Sequence, residues 1–316
     1  MNKNLSKLAV VASLGLILTG CSSSEDSTDA TGKITVVAAL YPLELVATSI
    51  GGDLVNVVNV TPPGVEPHDL ELTPSQIITL DDADLLLYIS GFQPALEEAA
   101  EQSPPTASLD ILTLPGLNLL DATEDGHDYG AEEVHADEEV HSDKEMVSDP
   151  HVWLDPERLI VVANAVAAKL SEVDPDNAQT YASNAEIFVQ ELTELDGKFV
   201  AGLASCERDL IVTAHAAFGY LADAYGLTQE AIAGLSPESE PTPKRLNEIG
   251  KEAKADGTTT IFFETLASPK VAQTLADDLN IEAAVLDPIE GISEGQTYFS
   301  IMESNLEALR KALTCN

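Results

Sequence analysis

The chain has 316 residues, 44% of them apolar, enough for about two domains at ~100–200 residues each and for a sizeable buried core. Fifteen Lys and Arg stand against 54 Asp and Glu, a net charge of −39 that repels phosphate backbones and anionic lipid heads and attracts cations. Nucleic-acid binding is thereby excluded, whereas a metal ion is permitted but not indicated, because the acids are spread along the chain as a solubility device would spread them.

At the N-terminus Lys3 and Lys7 precede an apolar run from Leu8 to Leu18, and the stretch ends in Leu18-Thr19-Gly20-Cys21. The run falls well short of the ~20 residues of a membrane span, so residues 1–20 read as a secretory signal peptide. Small residues followed by a cysteine resemble the bacterial lipobox, in which the cysteine is diacylated and becomes the new N-terminus. Cys21 is then the lipidated residue and 21–32 a polar tether holding the protein outside the cytoplasmic membrane, on a Gram-positive surface or in a periplasm. In that oxidising setting the two remaining cysteines, Cys206 and Cys315, either pair and pin the C-terminal helix or stay as free buried thiols, pairing being the simpler outcome.

Six short runs rich in β-branched residues follow in chain order: Ile34 to Leu40, Leu54 to Val60, Leu85 to Ser90, Asp209 to Thr213, Thr259 to Phe263 and Glu282 to Leu286. Segments with helical apolar spacing separate them, and strand alternating with helix implies parallel sheets covered on both faces. Val36-Val37-Ala38-Ala39-Leu40-Tyr41, running into a helix from Pro42 to Ile50, looks like Leu210-Ile211-Val212-Thr213-Ala214-His215, running into a helix from Ala216 to Tyr225. Each opens its own α/β lobe. Between them Tyr181, Phe188, Leu192, Leu195, Phe199 and Leu203 form one apolar stripe. The stripe predicts a helix from Asp176 to Ala204, about 43 Å long at 1.5 Å per residue, a stiff connector that limits lobe motion. The expected layout is an N-terminal lobe over 33–155, a linking helical region over 156–205 and a C-terminal lobe over 206–316. Within the first lobe, 121–149 carries twelve acids against Lys144 alone, with His127, His135 and His141, and reads as a mobile acidic loop with at most a weak secondary metal site.

Outside that loop there are three histidines, His68, His151 and His215, each near the C-terminal end of a strand or in the loop after it, where open α/β sheets place their ligand sites. Asp287 ends the last predicted strand in the same way. Three imidazoles and one carboxylate suit tetrahedral Zn²⁺, while Mn²⁺ prefers more oxygen donors. Four protein ligands leave no open position for an activated water, which points to binding rather than hydrolysis. Glu264 either holds an imidazole tautomer or makes a structural ion pair. Asp69 and Asp155 either orient the neighbouring histidines or cap helices after Leu70 and Pro156. Tyr41, Trp153 and Phe218 are candidate cleft walls.

The segments Ala39-Leu40-Tyr41-Pro42-Leu43, Glu66-Pro67-His68-Asp69-Leu70-Glu71-Leu72-Thr73-Pro74, Asp149-Pro150-His151-Val152-Trp153-Leu154-Asp155-Pro156, Thr213-Ala214-His215-Ala216-Ala217-Phe218-Gly219-Tyr220 and Phe263-Glu264 resemble the solute-binding lipoproteins of zinc and manganese ABC transporters. The likeness extends from Lys33 to Thr314. It implies two α/β lobes joined by one rigid helix, a metal held in the cleft between them, and four ligands at His68, His151, His215 and Asp287. His at the third position favours zinc over manganese. The implied partners are a membrane permease and a separate ATPase, since this chain lacks a GxxxxGK[ST] loop, and a monomer is expected. Competing readings are a manganese or iron receptor of the same build, a surface zinc metallohydrolase and an adhesin.

Overall fold

The computed structural model describes residues 32–122 and 147–316. The signal segment, Cys21 with most of its tether, and nearly all of the acidic stretch, including His127, His135 and His141, lie outside the described residues.

The first unit runs β1 (Ile34–Ala38), α1 (Tyr41–Gly51), β2 (Val55–Asn59), α2 (Pro74–Asp81), β3 (Leu85–Tyr88), α3 (Pro94–Gln102) and β4 (Ser108–Asp110). Its strands make one parallel sheet in the order β2-β1-β3-β4. Because β1 and β3 are central and covered on both faces, Val36, Val37, Ala38, Leu85, Leu86 and Leu87 are an unbroken apolar set, all buried. A short antiparallel ribbon, β5 (Asp121–Ala122) with β6 (Val147–Ser148), closes the base of the acidic stretch.

Two helices follow. Pro156 opens α4 (Pro156–Val173), with Asp155 at the cap accepting the Glu157 N–H at 2.9 Å and pairing with Arg158 at 2.7 Å. So Asp155 caps a helix and orients no ligand. The next helix, α5 (Ala178–Leu203), buries all six residues of the anticipated stripe together with Ala185. It starts two residues later than expected, because Pro175–Asn177 form a separate 3-10 turn. Its 26 residues span about 39 Å, and it packs on α4 and α1 and also on two helices of the second unit.

The second unit runs β7 (Leu210–Thr213), α6 (Gly219–Tyr225), β8 (Thr228–Ala231), α7 (Pro243–Asp256), β9 (Thr260–Phe263), α8 (Lys270–Leu279), β10 (Glu282–Val285) and α9 (Tyr298–Leu313). Its parallel sheet has the order β10-β9-β7-β8. In both sheets the first strand sits between the second and third, so the two alike sequence stretches occupy equivalent strands. All six anticipated strands are present. The edge strands β4 and β8, Ser-Leu-Asp and Thr-Gln-Glu-Ala, carry no β-branched run, and most of their residues are at least partly exposed. α2 begins at Pro74 behind the cap Thr73. In the second unit one helix start differs from expectation: α6 begins at Gly219 rather than Ala216, because residues 214–216 bend after β7.

Both units share one interior. A continuous cluster joins Val36 and Leu86 of the first sheet, Leu159 and Val166 of α4, the α5 stripe, and Phe218, Leu286, Tyr298 and Leu309 of the second unit. A smaller cluster, including Ile232, Ile249, Ile261 and Ala272, lies on the outer side of the second sheet. Buried hydrogen bonds cross between the units: the Tyr220 hydroxyl donates to the Asp149 carbonyl at 2.8 Å, the Tyr298 hydroxyl to the Trp153 carbonyl at 2.7 Å, and the Trp153 indole to the Pro288 carbonyl at 2.7 Å. Arg158 bonds Asp155 on one side and Asp223 on the other, with its guanidinium 4.6 Å from the Tyr220 ring centre. Among the described residues no helix is long and apolar enough to cross a membrane.

Cys206 and Cys315 are bonded, tying the chain after α5 to the end of α9. The bridge spans 109 residues, so on the chain-entropy account it contributes up to about 4.7 kcal/mol. Replacing both cysteines with serine is expected to lower the guanidinium midpoint by a corresponding amount, and dithiothreitol should bring the unmodified protein to the same midpoint. Equilibrium unfolding with and without reductant checks this.

Candidate metal centre

His68, His151 and His215 converge between the two units. His68 lies in the loop between β2 and α2, where Glu66 accepts the His68 N–H at 3.1 Å and the Asp69 N–H at 3.3 Å, while the Gln93 amide holds the Pro67 carbonyl at 3.2 Å. The His68 ring packs on Phe92 with centres 4.3 Å apart. Asp69 itself is exposed and caps no helix.

The other two histidines are held in one repeated way. Asp149 accepts both the backbone N–H of His151 at 2.9 Å and its Nδ1–H at 2.8 Å. Glu264 accepts both the N–H of His215 at 3.1 Å and its Nδ1–H at 2.6 Å. In each unit one carboxylate therefore fixes the ring's rotation and its tautomer, leaving the Nε2 lone pair free for a ligand. This settles Glu264 as an orienting acceptor. Asp149 was missed as its counterpart, although its place two residues before His151 was a usable signal.

The carboxylate that meets the three imidazoles is Glu290, not Asp287. His68 Nε2, His151 Nε2, His215 Nε2 and one oxygen of Glu290 lie within 4.8 Å of one another. Asp287 is committed elsewhere: one oxygen accepts the Ile289 N–H and the other the Thr265 hydroxyl, both at 2.8 Å. It shapes the turn after β10. That turn places Ile289 at φ +59, a left-handed conformation costly for a β-branched residue, and carries Glu290 into the cleft.

The four converging atoms are buried and none has a hydrogen-bond partner. Leaving such groups dry and unpaired costs about 1–3 kcal/mol each, so the arrangement is stable only against a group that satisfies them all at once. The Glu290 oxygen stands 3.4, 3.3 and 3.4 Å from the Nε2 atoms of His68, His151 and His215. A tetrahedron with metal bonds of about 2.0–2.1 Å has edges of about 3.3–3.4 Å, so the three edges from Glu290 match a zinc-sized centre.

The protonation states suit a cation receptor. Burial alone would raise the Glu290 carboxyl, but the imidazoles of His151, His215 and His68 crowded around it hold it well below the usual carboxylate range. Burial pulls the His215 ring down, yet Glu264 and Glu290 outweigh it and lift it to about 10. His151 is likewise raised by Asp149 and Glu290 against burial, whereas burial keeps His68 below the ordinary value. Of the three aromatics expected to line the cleft, Trp153 does, with its ring 5.2 Å from that of His151. Tyr41 instead accepts the Tyr298 N–H at 3.1 Å, and Phe218 lies in the common core.

Removing the Glu290 oxygen leaves three donors, and removing Asp287 only loosens the turn that presents the fourth. Glu290→Ala is therefore expected to weaken zinc binding far more than Asp287→Ala, whose effect should stay within the about 10- to 100-fold typical of groups that support a ligand. Chelator-competition titrations of the two variants measure the ranking.

Comparison with known proteins agrees with this geometry. The family described as zinc-uptake complex component A, periplasmic, matches residues 36–312. The high-affinity zinc uptake system protein ZnuA of Bacillus subtilis is 36% identical over 322 residues, with 99% of each chain covered. The zinc-binding protein AdcA of Streptococcus pyogenes serotype M3 is 37% identical over 292 residues, covering 89% of this chain, which spans only 56% of that longer relative. Zn(II)-bound AdcA from Streptococcus pneumoniae superimposes with a TM-score of 0.71 at 31% identity, over 89% of this chain and 58% of that one. With the match running through both sheets and the connecting helix, the chain belongs to the zinc-uptake complex component A family.

Proposed function

We propose that this protein is the extracytoplasmic receptor of a zinc ABC uptake transporter, capturing Zn²⁺ between its lobes with His68, His151, His215 and Glu290 and delivering it to a membrane permease driven by a separate ATPase. The observation that carries the reading is the set of four buried donor atoms with no partner but a common point. Three imidazoles with one carboxylate form a borderline donor set that favours zinc over manganese. All four donors come from the protein, so no position remains for an activated water, and the role is carriage rather than hydrolysis. The names of the relatives support zinc as the cargo. In this reading 1–20 is a signal peptide, Cys21 carries the lipid, 33–155 and 206–316 are the two lobes, 156–205 links them, and the protein acts as a monomer tethered to the membrane. The lipoprotein name of the Streptococcus pneumoniae relative, 34% identical over 315 residues, supports the tether.

Protein purified without added metal should contain about one zinc per chain by elemental analysis, and His215→Ala should lose it. A manganese preference in competition titrations would defeat the assignment of the metal. Binding must also displace protons. Zinc and a proton compete for each imidazole Nε2; the raised His215, at about 10, holds that proton at neutral pH, whereas Glu290, held well below the usual range, is already ionised. Metal uptake at pH 7 is thus expected to release at least one proton, and apparent affinity to fall steadily from pH 8 to pH 5. Calorimetry in buffers of different ionisation enthalpy counts the protons; a pH-independent affinity would contradict the site.

A further inference from the structure

Glu290 sits on a turn that its own residues do not favour. Ile289 is fully buried in the left-handed region, a state of order 1–3 kcal/mol above the ordinary ones for a non-glycine residue, and it persists only where surroundings enforce it. From within the second lobe, Asn305 on α9 grips both backbone groups of Asp287, accepting its N–H at 2.9 Å and donating to its carbonyl at 2.7 Å. The Asp287 side chain adds its bonds to the Ile289 N–H and the Thr265 hydroxyl, and one further hold comes from the opposite lobe. The Trp153 indole N–H donates to the Pro288 carbonyl at 2.7 Å, and the Trp153 carbonyl in turn accepts the Tyr298 hydroxyl at 2.7 Å. Trp153 is buried, follows His151 by two residues and packs against its ring.

We propose that Trp153 is a positioning residue of the metal site: its indole N–H, bonded across the lobe interface to Pro288, keeps the strained turn in the form that presents Glu290 to the three imidazoles. The inference rests on Glu290 being the fourth donor. One residue then sets two ligands, His151 through ring packing and Glu290 through the carbonyl, and the fourth donor is in place before metal arrives. Without the bond the turn relaxes toward ordinary backbone conformations, and apparent affinity drops in proportion to the fraction of molecules still holding the competent form. A fall to about one-tenth occupancy of that form gives about tenfold weaker binding.

The chain contains a single tryptophan, so global replacement of tryptophan by benzothienylalanine exchanges only the Trp153 N–H for sulfur and keeps the ring. The substituted protein is expected to bind zinc about tenfold more weakly by chelator competition, and its cobalt(II) complex to lose visible absorption intensity as Glu290 leaves the tetrahedron. The same replacement in Glu290→Ala protein should cause no further loss of affinity, because the bond acts through Glu290; a general packing role would weaken both backgrounds alike. Trp153→Phe, which also lacks the donor, should follow the same pattern. Zinc affinity within twofold of the unmodified protein together with an unchanged cobalt spectrum, or equal losses in the two backgrounds, would overturn the proposal. Unaltered zinc binding by Glu290→Ala alone would instead overturn the reading of the site on which it rests.

Discussion

Desolvation without compensation governs this molecule. Three imidazole nitrogens and a carboxylate oxygen are brought into a dry cleft and denied every protein partner, an arrangement that costs free energy until a cation enters. Much of the surrounding structure answers to that cost. Asp149 and Glu264 stiffen two of the rings so that the lone pairs point inward, the Asp287 turn accepts a strained residue to bring Glu290 forward, and the lobes are tied together by buried bonds on either side of the cleft. The ion does not organise a loose site. It completes one that folding has already assembled.

The two units contribute equally and by the same rule. Each supplies two of the four donors, and in each one carboxylate takes both the backbone and the ring N–H of a histidine. The donors thus converge between two units that are each built on a parallel sheet, the kind of sheet whose strand ends gather ligands. The difference between the histidines is equally physical. His68 rests on Phe92 and a loop held by Glu66 and Gln93, and it is the ligand with the most exposed side chain, at 10%, against none for the other two.

The fold was readable because its determinants are periodic. Central strands such as Val36 to Ala38 are continuous apolar runs, and the α5 stripe repeats at helical spacing, so both were visible without coordinates. The edge strands β4 and β8 carry no such signature, since most of their residues meet solvent and edge pairing is decided by neighbours far away in the chain. In the site, the histidines were legible because only three stand outside the acidic stretch. The carboxylate was not, because it had to be chosen from 54 acids. Asp287 was the natural choice at a strand end. What displaced it was the left-handed turn at Ile289, which carries the chain past Asp287 and which neither hydrophobic spacing nor residue type announces.

The common interior has a consequence for how the protein can be divided. Residues from the first sheet, from α4 and α5 and from the second unit belong to one apolar cluster, and the disulfide closes the far end of the same body. A half expressed by itself would turn part of that shared surface toward water and clump with its neighbours. Excising either lobe is therefore a poor route to a smaller sensor or vaccine fragment, and attachment points for dyes or tags belong on outward positions such as Ile187 and Val200, which project from α5 into solvent.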